Sequence, residues 1–443
     1  MRMLRRLRTP CITVALTLCG LATLSPAGSV LGKPSARRAS VAPLGGVNIG
    51  GPEFDTTSAE ADRSIALAQQ LHARIVRVEL PWSVLEPSGP NQIDRKTLGF
   101  TDRLMADAAA AGIGVIALVD STPCWVSSAP SSVLAKCSTT QPTAANAWPP
   151  SDPRSFATFV AFLAKRYGER LAAIEIWNEP DQINEFYFAG PNKAQRYAAL
   201  LRAAYPAIKL ANPNVPVLAG SLVGSNGVFL RALYAAGIKG YYDGLAIHYY
   251  ELTLASVRSI RQVQLANGDA KPLWLDEFGW TSCWPRYRIQ EEQGCVTPGV
   301  QALNIANIFR ALAHTSYVAA EAIFHMQDSN TENFGLISSN GSRKPAFGAL
   351  AAVLASPFGK VSKVTLALHR RGSRVVASGS GPVGDFMALE VVKGGVLRYR
   401  AVFELDRFNR YSITLPKVLG TRGLRVRTYQ YWTGPGRAAQ KSI

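Results

Sequence analysis

Two glutamates stand at the ends of short apolar runs that are typical of buried strands. Glu179 ends the run Ile174-Glu175-Ile176-Trp177-Asn178-Glu179, and Glu277 ends the run Pro272-Leu273-Trp274-Leu275-Asp276-Glu277. Packing explains such carboxylates poorly, because an apolar side chain would cost less to bury there. Either glutamate alone would more often be a salt-bridge or helix-cap partner. Together they can divide catalytic labour, one protonating a leaving group and the other attacking as a nucleophile.

The elements that position these glutamates alternate between strand and helix. Predicted strands cover residues 44–49, 75–80, 115–119, 174–177, 217–222, 244–249, 273–275 and 320–324. Predicted helices cover residues 59–72, 96–111, 153–167, 193–210, 228–236, 254–265, 298–314 and 345–354. Eight such units predict a closed (β/α)8 TIM barrel of the α/β class. The alternative is a doubly wound open sheet, but no G-x-G-x-x-G turn follows the first strand. Glu179 and Glu277 would then end strands 4 and 7 and face each other across the barrel mouth.

The pattern changes after residue 359. Short β-rich runs at 361–368, 374–378, 387–392, 396–404, 410–415 and 424–431 predict a small antiparallel, Ig-like β-sandwich, with a turn at Lys393-Gly394-Gly395. The expected domains are therefore a catalytic barrel over 43–358 and a sandwich over 360–443.

Charge is distributed unevenly between these two parts. Residues 41–359 carry 25 Lys and Arg against 26 Asp and Glu, whereas residues 360–443 carry 16 against 4. The basic tail suggests an anionic cell-surface polymer as a partner, and a solvated basic face without a specific ligand is the alternative. Nucleic acid is not expected as a partner, because the chain carries no recognisable nucleic-acid-binding motif.

The first residues resemble a secretory signal peptide. Arg2, Arg5, Arg6 and Arg8 precede an apolar run, and Ser25-Pro26-Ala27 offers a cleavage site, so residues 1–27 are expected to be removed and 28–42 to form a linker. An uncleaved membrane anchor is the alternative, although the run is shorter than the roughly 20 residues that a span needs. We expect a secreted protein, in part associated with the cell wall, with no stable membrane insertion after cleavage.

Four cysteines remain after the signal peptide, in two short-range pairs. Closing the local loops favours disulfides Cys124–Cys137 and Cys283–Cys295 in an oxidising compartment. A zinc site is the alternative, but the chain lacks close Cys-x-x-Cys spacing. Both disulfides would hold loops on the rim that carries the glutamates.

Four motifs resemble retaining glycoside hydrolases of clan A. They are Trp177-Asn178-Glu179-Pro180 on strand 4, Trp274-Leu275-Asp276-Glu277-Phe278-Gly279 on strand 7, Val76-Arg77-Val78-Glu79-Leu80-Pro81-Trp82 on strand 2, and Ile247-His248-Tyr249-Tyr250 on strand 6. They occur in the expected order and span the barrel. The resemblance is greatest to the family 39 members that act as β-xylosidases or as bacterial exopolysaccharide endoglycosidases.

The resemblance implies a role for each matching residue. Glu179 would be the general acid/base and Glu277 the nucleophile, while Asn178 would bind the sugar 2-hydroxyl. Arg77 and Tyr250 would hold the nucleophile, and His248 would line the site. As alternatives, Arg77 would only neutralise Glu79 or Glu175, and Tyr249 would replace Tyr250 if the strand register slipped by one residue.

Two positions depart from the family pattern. Asp276 stands where many relatives have threonine or serine, and it would either perturb the nucleophile or point outward into a salt bridge. On strand 8 the usual tryptophan under the sugar is missing, so Phe324 or His325 would have to form the floor of the first subsite.

Tryptophans at the predicted strand ends favour a carbohydrate ligand. Pyranose rings present apolar C–H faces that stack on indole, and Trp82, Trp125 and Trp280 are therefore predicted to bind substrate. Trp148 and Trp284 lie in rim loops as well, whereas Trp274 and Trp432 are expected to pack within strands. About half of the rim tryptophans would merely cap the barrel mouth.

The sequence therefore predicts a secreted retaining glycosidase that hydrolyses O-glycosyl bonds, of β configuration, in a polysaccharide or oligosaccharide. A non-catalytic carbohydrate- or wall-binding protein on the same scaffold is the alternative, and transglycosylation by the same residues is a third hypothesis. No metal and no organic cofactor are expected to be required.

Overall fold

The computed structural model describes residues 42–52, 56–140, 142–224, 226–251, 253–283, 295–329 and 332–443. The predicted signal peptide, most of the predicted linker and Trp284 lie outside these ranges. Among the described residues, no helix combines the length and apolar character needed to cross a membrane.

Eight parallel strands close into a barrel in sequence order, with β8 paired to β1. The strands are β1 (Leu44–Asn48), β2 (Ile75–Glu79), β3 (Gly114–Val119), β4 (Leu171–Ile176), β5 (Val217–Leu222), β6 (Gly244–Tyr249), β7 (Leu273–Phe278) and β8 (Val318–Ile323). Every predicted strand is present, and the TIM barrel prediction is confirmed.

Helices surround the barrel. They are α1 (Ser58–Gln70), α2 (Trp82–Leu85), α3 (Arg95–Ala110), α4 (Ser131–Leu134), α5 (Pro153–Tyr167), α6 (Lys193–Ala211), α7 (Val228–Ala235), α8 (Ala255–Ala266), α9 (Pro298–Ala313) and α10 (Pro345–Ala355). Local sequence sets several N-termini: Thr57, Asp94, Asp152 and Thr297 each accept a hydrogen bond from a backbone N–H of the first turn. Sequence analysis missed the short helices α2 and α4, which lie in rim loops.

The barrel has two apolar layers. A ring of inward side chains fills its lower interior, and it comprises Ile75, Ile116, Ala173, Leu218, Ala246, Trp274 and Ala320. Alternate strand residues point outward and pack against the helices. Because the interior is filled from below, polar side chains of the same strands gather at the C-terminal mouth.

Seven further strands form two antiparallel sheets after the barrel. They are β9 (Ala367–Arg371), β10 (Arg374–Ser380), β11 (Met387–Lys393), β12 (Val396–Phe403), β13 (Arg410–Thr414), β14 (Leu424–Gln430) and β15 (Ala439–Ser442), in the orders β13-β10-β9 and β12-β11-β14-β15. Both sheets contribute to one apolar core, as the predicted sandwich requires. Sequence analysis missed β15 and started the first strand six residues too early.

The sandwich packs against the barrel. Leu254 after β6 donates its backbone N–H to Gly384 O at 3.1 Å, and Asn409 bonds Asn304 of α9 at 2.6 Å. Arg258 of α8 lies 5.0 Å over the ring of Trp432. The two parts belong to one compact unit, Val41–Ile443, so their independence as domains stays a prediction.

Both predicted disulfides are present. Cys124 is bonded to Cys137, and Cys283 is bonded to Cys295. The first closes the loop after β3, and the second closes the loop after β7. Each disulfide crosslinks a loop at the C-terminal end of the barrel, where Glu179 and Glu277 also lie.

Candidate active site

Glu179 lies just beyond the end of β4 and is only 7% exposed. The chain turns sharply here, since Trp177 and Glu179 both have positive φ values of 70° and 41°. Such left-handed backbone is costly for residues other than glycine, and it clusters at functional sites. Trp177 supports the turn by donating its indole N–H to Tyr187 O at 2.8 Å. The turn brings the Glu179 carboxylate over the barrel mouth.

His248 of β6 holds one oxygen of Glu179. Its Nδ1 lies 2.7 Å from Glu179 Oε1, and Gln182 donates to the other oxygen. Burial lowers the pKa of His248, but the carboxylates of Glu277 and Glu179 outweigh burial and raise it above its ordinary value. His248 therefore holds its proton more tightly than a free imidazole does.

Glu277 of β7 is held from two other directions. The Tyr250 hydroxyl donates to Oε1 at 2.6 Å, and Arg77 Nη1 donates to Oε2 at 3.0 Å. Burial first, and then the Glu277 charge, raise the pKa of Tyr250 well above its ordinary value, so its hydroxyl remains a donor. Tyr250 is thus the inward residue of its pair, while Tyr249 packs near Phe278.

The two catalytic candidates lie close together. One oxygen of Glu179 and one oxygen of Glu277 lie within 4.8 Å of each other, with His248 between them. Retaining glycosidases place their carboxyl groups about 5–5.5 Å apart, whereas inverting enzymes need roughly 6.5–9.5 Å to admit a water molecule. The observed spacing fits direct attack by one of the carboxylates.

Arg77 of β2 is the hub of the site. Its guanidinium makes a bidentate pair with Glu175, through Nε to Oε2 at 2.8 Å and Nη2 to Oε1 at 3.0 Å. It also bonds Asn178 Oδ1 at 3.0 Å and Glu277. Arg77 therefore does not only neutralise Glu175, since it also bonds Glu277, and its role in holding the nucleophile stays a prediction. Asn178 is fixed by the same contact beside Glu179.

Three polar residues that the sequence motifs do not indicate complete this network. Asn48 of β1 accepts from Arg77 Nη1 at 3.1 Å and donates to the backbone carbonyls of Asp276 in β7 and Ile323 in β8. Ser221 of β5 hydrogen-bonds Glu175, and Gln182 bonds Glu179. Asn48 and Ser221 stand at strand ends, so the rule that identified the glutamates would have indicated them too.

Aromatic side chains form the strand-8 side of the mouth. Phe324 follows β8 and lies 5.7 Å from Phe334, which in turn lies 5.7 Å from Tyr250. His325 adjoins Phe324 at 4.5 Å, and burial with the Lys344 charge lowers its pKa to about 4. Gly279 is required beside this group, because a Cβ there would lie 2.6 Å from the Phe324 carbonyl oxygen. That Phe324 or His325 forms the floor of the first subsite stays a prediction.

The predicted substrate-binding roles of Trp82 and Trp280 are wrong. They are 0% and 2% exposed, so neither indole offers a face to a sugar. Trp82 is buried because it stacks on Phe159 at 5.7 Å and donates its N–H to Glu86 at 2.6 Å. Trp280 packs edge-on against Phe278.

Other tryptophans remain at least partly accessible. Trp125 is half-buried, meets the edge of Trp82 at 5.7 Å and donates to Glu86 O at 3.0 Å. Trp148 is half-buried under Arg196. The prediction that Trp432 packs within a strand is wrong, because Trp432 follows β14 and is 52% exposed. Trp125 therefore stays a predicted substrate-binding residue.

Two groups of carboxylates with His248 have the ligand spacing of a metal site. The first group is Glu175, Asp276 and His248, and the second is Glu179, Glu277 and His248. Within each group the candidate ligand atoms lie within 4.8 Å of one another. Arg77 already bonds Glu175 and Glu277, and so brings the positive charge that a cation would otherwise supply. We therefore do not interpret these residues as metal ligands.

Comparison with known proteins gives no match to a family model or to a curated sequence. Solved structures are similar. A family 39 glycoside hydrolase from Bacteroides cellulosilyticus aligns with TM-score 0.54 and 17% identity over 85% of this chain and 80% of that one. A monomeric β-xylosidase from Caulobacter crescentus gives 0.53 and 17% over 80% and 83%, and an endo-β-1,4-mannanase from Thermotoga petrophila gives 0.53 and 13% over 91% and 97%. Identities this low show a shared fold alone, which is the closed (β/α)8 barrel with eight parallel strands.

Proposed function

We propose that this protein is a secreted retaining glycoside hydrolase that cleaves β-linked O-glycosidic bonds in a polysaccharide or oligosaccharide. The observation that carries the proposal is the pair Glu179 and Glu277, on opposite strands of the barrel with carboxylate oxygens within 4.8 Å. Each is held by different donors, which suits two different roles. The fold shared with glycosidases and the two disulfides are consistent with an exported enzyme of this class.

The reaction would proceed by double displacement. Glu179 gives a proton to the glycosidic oxygen while Glu277 attacks the anomeric carbon, so that the carbon–oxygen bond to the leaving sugar breaks and a glycosyl ester with Glu277 forms. Glu179 then takes a proton from water, the water oxygen bonds the anomeric carbon, and Glu277 leaves as a carboxylate. Both residues return to their starting states.

The neighbouring side chains support these steps. Arg77 and Tyr250 each donate to Glu277, and these two hydrogen bonds orient the nucleophile. His248, with Nδ1 2.7 Å from Glu179 Oε1, orients the carboxyl group that would protonate the leaving group. Asn178, fixed by Arg77, is placed to bind the sugar 2-hydroxyl, and Trp125 with Phe324 offers aromatic surface for pyranose rings.

Single substitutions test the chemistry. The full mature chain would be screened on defined β-linked glycans with product-length analysis, beside Glu179→Gln and Glu277→Gln. We expect each variant to lose at least about 10²–10⁴-fold in kcat on every active substrate while keeping the fold. Glu185→Gln, in a rim loop, is the matched control. Saturable glycan binding without turnover by the wild type would instead support the non-catalytic alternative.

We further propose that the sandwich binds an anionic glycan of the cell surface. On the sheet β12-β11-β14-β15, Arg400 and Arg427 flank Glu390, and their side chains are 47% and 40% exposed. Each guanidinium also lies over an aromatic ring, at 5.4 Å from Tyr431 and 5.9 Å from Tyr429. These contacts orient two arginines on one open face, which suits carboxylate groups.

Comparing the affinity for a polyuronate with the affinity for a neutral glucan tests whether this basic face has a specific ligand or is only solvated. We expect salt-sensitive binding to polyuronate that Arg400→Gln with Arg427→Gln weakens about tenfold or more, with no effect on the neutral glucan. Arg407→Gln with Arg437→Gln removes the same charge from elsewhere in the sandwich. An equal loss with that control pair would contradict a defined site.

A further inference from the structure

Asp276 directly precedes the nucleophile, and the double displacement above gives it no role. It lies on β7, and its side chain is completely buried. It therefore points into the site, and the outward salt bridge considered from the sequence is wrong. A buried carboxyl group at this place must affect the charges of its neighbours.

Its hydrogen bonding is unusual for an ionised carboxylate. Among the described residues, no side-chain or backbone donor makes a hydrogen bond to either oxygen of Asp276. The nearest cationic atom is Arg77 Nε, at 3.6 Å from Oδ2, and that atom already donates to Glu175. An ionised carboxylate buried without donors is strongly disfavoured.

Four charged or titratable groups face Asp276 from the surrounding strands. They are Arg77 of β2, Glu175 of β4, His248 of β6 and Glu277 of β7. An oxygen of Glu175 lies within 4.8 Å of an oxygen of Asp276. Arg77 binds Glu175 through two hydrogen bonds and so fixes the negative charge there. Two buried carboxyl groups this close disfavour each other's ionisation.

We propose that Asp276 is a positioning residue that holds a proton at neutral pH and donates it in a hydrogen bond to Glu175. The proton removes one negative charge from beside the nucleophile. Arg77 then faces only two negative charges, those of Glu175 and Glu277. The guanidinium keeps its hydrogen bonds to both carboxylates. The pair Asp276–Glu175 also gives each carboxyl group a partner inside the barrel.

The acidities agree with this geometry. Burial first, and then the Glu175 charge, raise the pKa of Asp276 well above its usual range. Burial also acts to raise the pKa of Glu175, but the Arg77 charge and the hydrogen bond from Asp276 outweigh it and lower that pKa. The pair therefore shares one proton, which resides on Asp276.

Stability against pH tests the protonation without any substrate. The folded chain binds a proton on Asp276 that the unfolded chain releases above about pH 4, so the wild type loses stability as pH rises from there. Asp276→Asn donates the same hydrogen bond without a proton to lose. We expect its Tm to gain on the wild type between pH 5 and pH 8 by on the order of 2 °C per pH unit. A Tm that falls relative to the wild type over this range would overturn the proposal.

Infrared difference spectroscopy identifies the proton directly. At pH 7 the spectrum of the wild type minus that of Asp276→Asn should contain the carbonyl band of a protonated carboxyl group. The spectrum of the Glu179→Gln variant should retain the same band. A carboxylate band in its place would overturn the proposal. Asp276→Thr, a smaller donor, serves if the Asn variant fails to fold. Asp276→Leu, which cannot donate, should melt below either donor variant.

The pH profile separates a positioning role from a structural one. The acid limb of kcat/KM reports ionisation of the nucleophile, so it should keep its midpoint in Asp276→Asn. A midpoint lower by about one pH unit would mean that Asp276 is ionised in the wild type. The stability and infrared measurements use no substrate, so they test the protonation of Asp276 even if the glycosidase proposal is wrong.

Discussion

Arg77 makes hydrogen bonds to more residues of the site than either predicted catalytic glutamate does. It bonds Glu175, Asn178 and Glu277, which come from strands on both sides of the barrel. Its pKa is raised well above the ordinary value because the neighbouring carboxylates outweigh the effect of burial. A permanently charged planar group is needed here, since it must meet several acceptors at once.

Replacing Arg77 tests this view. Arg77→Met leaves buried carboxylates without their cation, so we expect a loss of about 3–5 kcal/mol in the free energy of unfolding at pH 7. Arg77→Lys keeps the charge without the planar fork, and we expect it to retain more stability but to lose at least about 100-fold in kcat. Urea denaturation and kinetics on the same preparations would measure both effects. Equal kcat in Arg77→Lys and the wild type would contradict the claim that the planar guanidinium of Arg77 is needed to hold the site.

His248 makes the stability of the site depend on pH in the same direction as Asp276, because the folded chain holds each proton more tightly than the unfolded chain does. Its raised pKa means that its contribution is complete below about pH 6.5, the unfolded value, and is lost as pH rises through the folded value. The stability advantage of the wild type over His248→Asn should therefore shrink from pH 6 to pH 9 in urea denaturation. His314→Asn, on the barrel exterior, is the matched control, and an advantage that grows with pH would refute the assignment.

At the scale of elements, the barrel follows from periodicity in the sequence. Apolar runs of five or six residues alternate with helices that carry apolar residues at helical spacing, and these patterns predict all eight strands. The same patterns carry no information about loops. They miss α2, whose Trp82 is buried by contacts with α5 and with Glu86. An indole at a strand end looks the same in sequence whether a loop covers it or exposes it.

The neighbouring indoles of Trp82 and Trp125 provide a matched pair. Trp82→Ala removes a fully buried ring, so we expect it to cost about 3–5 kcal/mol of unfolding free energy. Trp125→Ala should cost less stability and instead weaken glycan binding by about 1–2 kcal/mol, roughly tenfold. Calorimetry for unfolding and titration with the best glycan from the screen would measure the two effects. Unchanged glycan affinity in Trp125→Ala would remove it from the substrate-binding residues.

At the scale of the whole molecule, the sandwich supports the segment that follows β6. Gly384 pairs with Thr253, three residues beyond Tyr250, and its φ of +102° is accessible to glycine alone among ordinary residues. A Cβ at Gly384 would also lie 3.2 Å from Ile308 of α9. Charge and β-rich pattern predict a second part of the chain, but contacts between distant segments leave no periodic signal.

Gly384→Ala tests whether the sandwich supports the site. Backbone strain and the contact with α9 should lower the unfolding free energy by about 1–3 kcal/mol and also reduce kcat, because Tyr250 loses support. Gly372→Ala is the control, since Gly372 has a positive φ of 56° in a hairpin with open space around it. Thermal denaturation and kinetics would show the difference. Equal effects of the two variants on kcat would mean that the sandwich does not influence the site.

The central claim is that Glu179 and Glu277 hydrolyse a glycosidic bond with retention of configuration. Proton NMR of the first sugar released from an active β-linked glycan measures that outcome directly, before the product mutarotates. The spacing of the two carboxylates predicts that the first product is the β-anomer, and that Glu277→Gln forms neither anomer at a measurable rate. Release of the α-anomer first would show inversion and contradict the account.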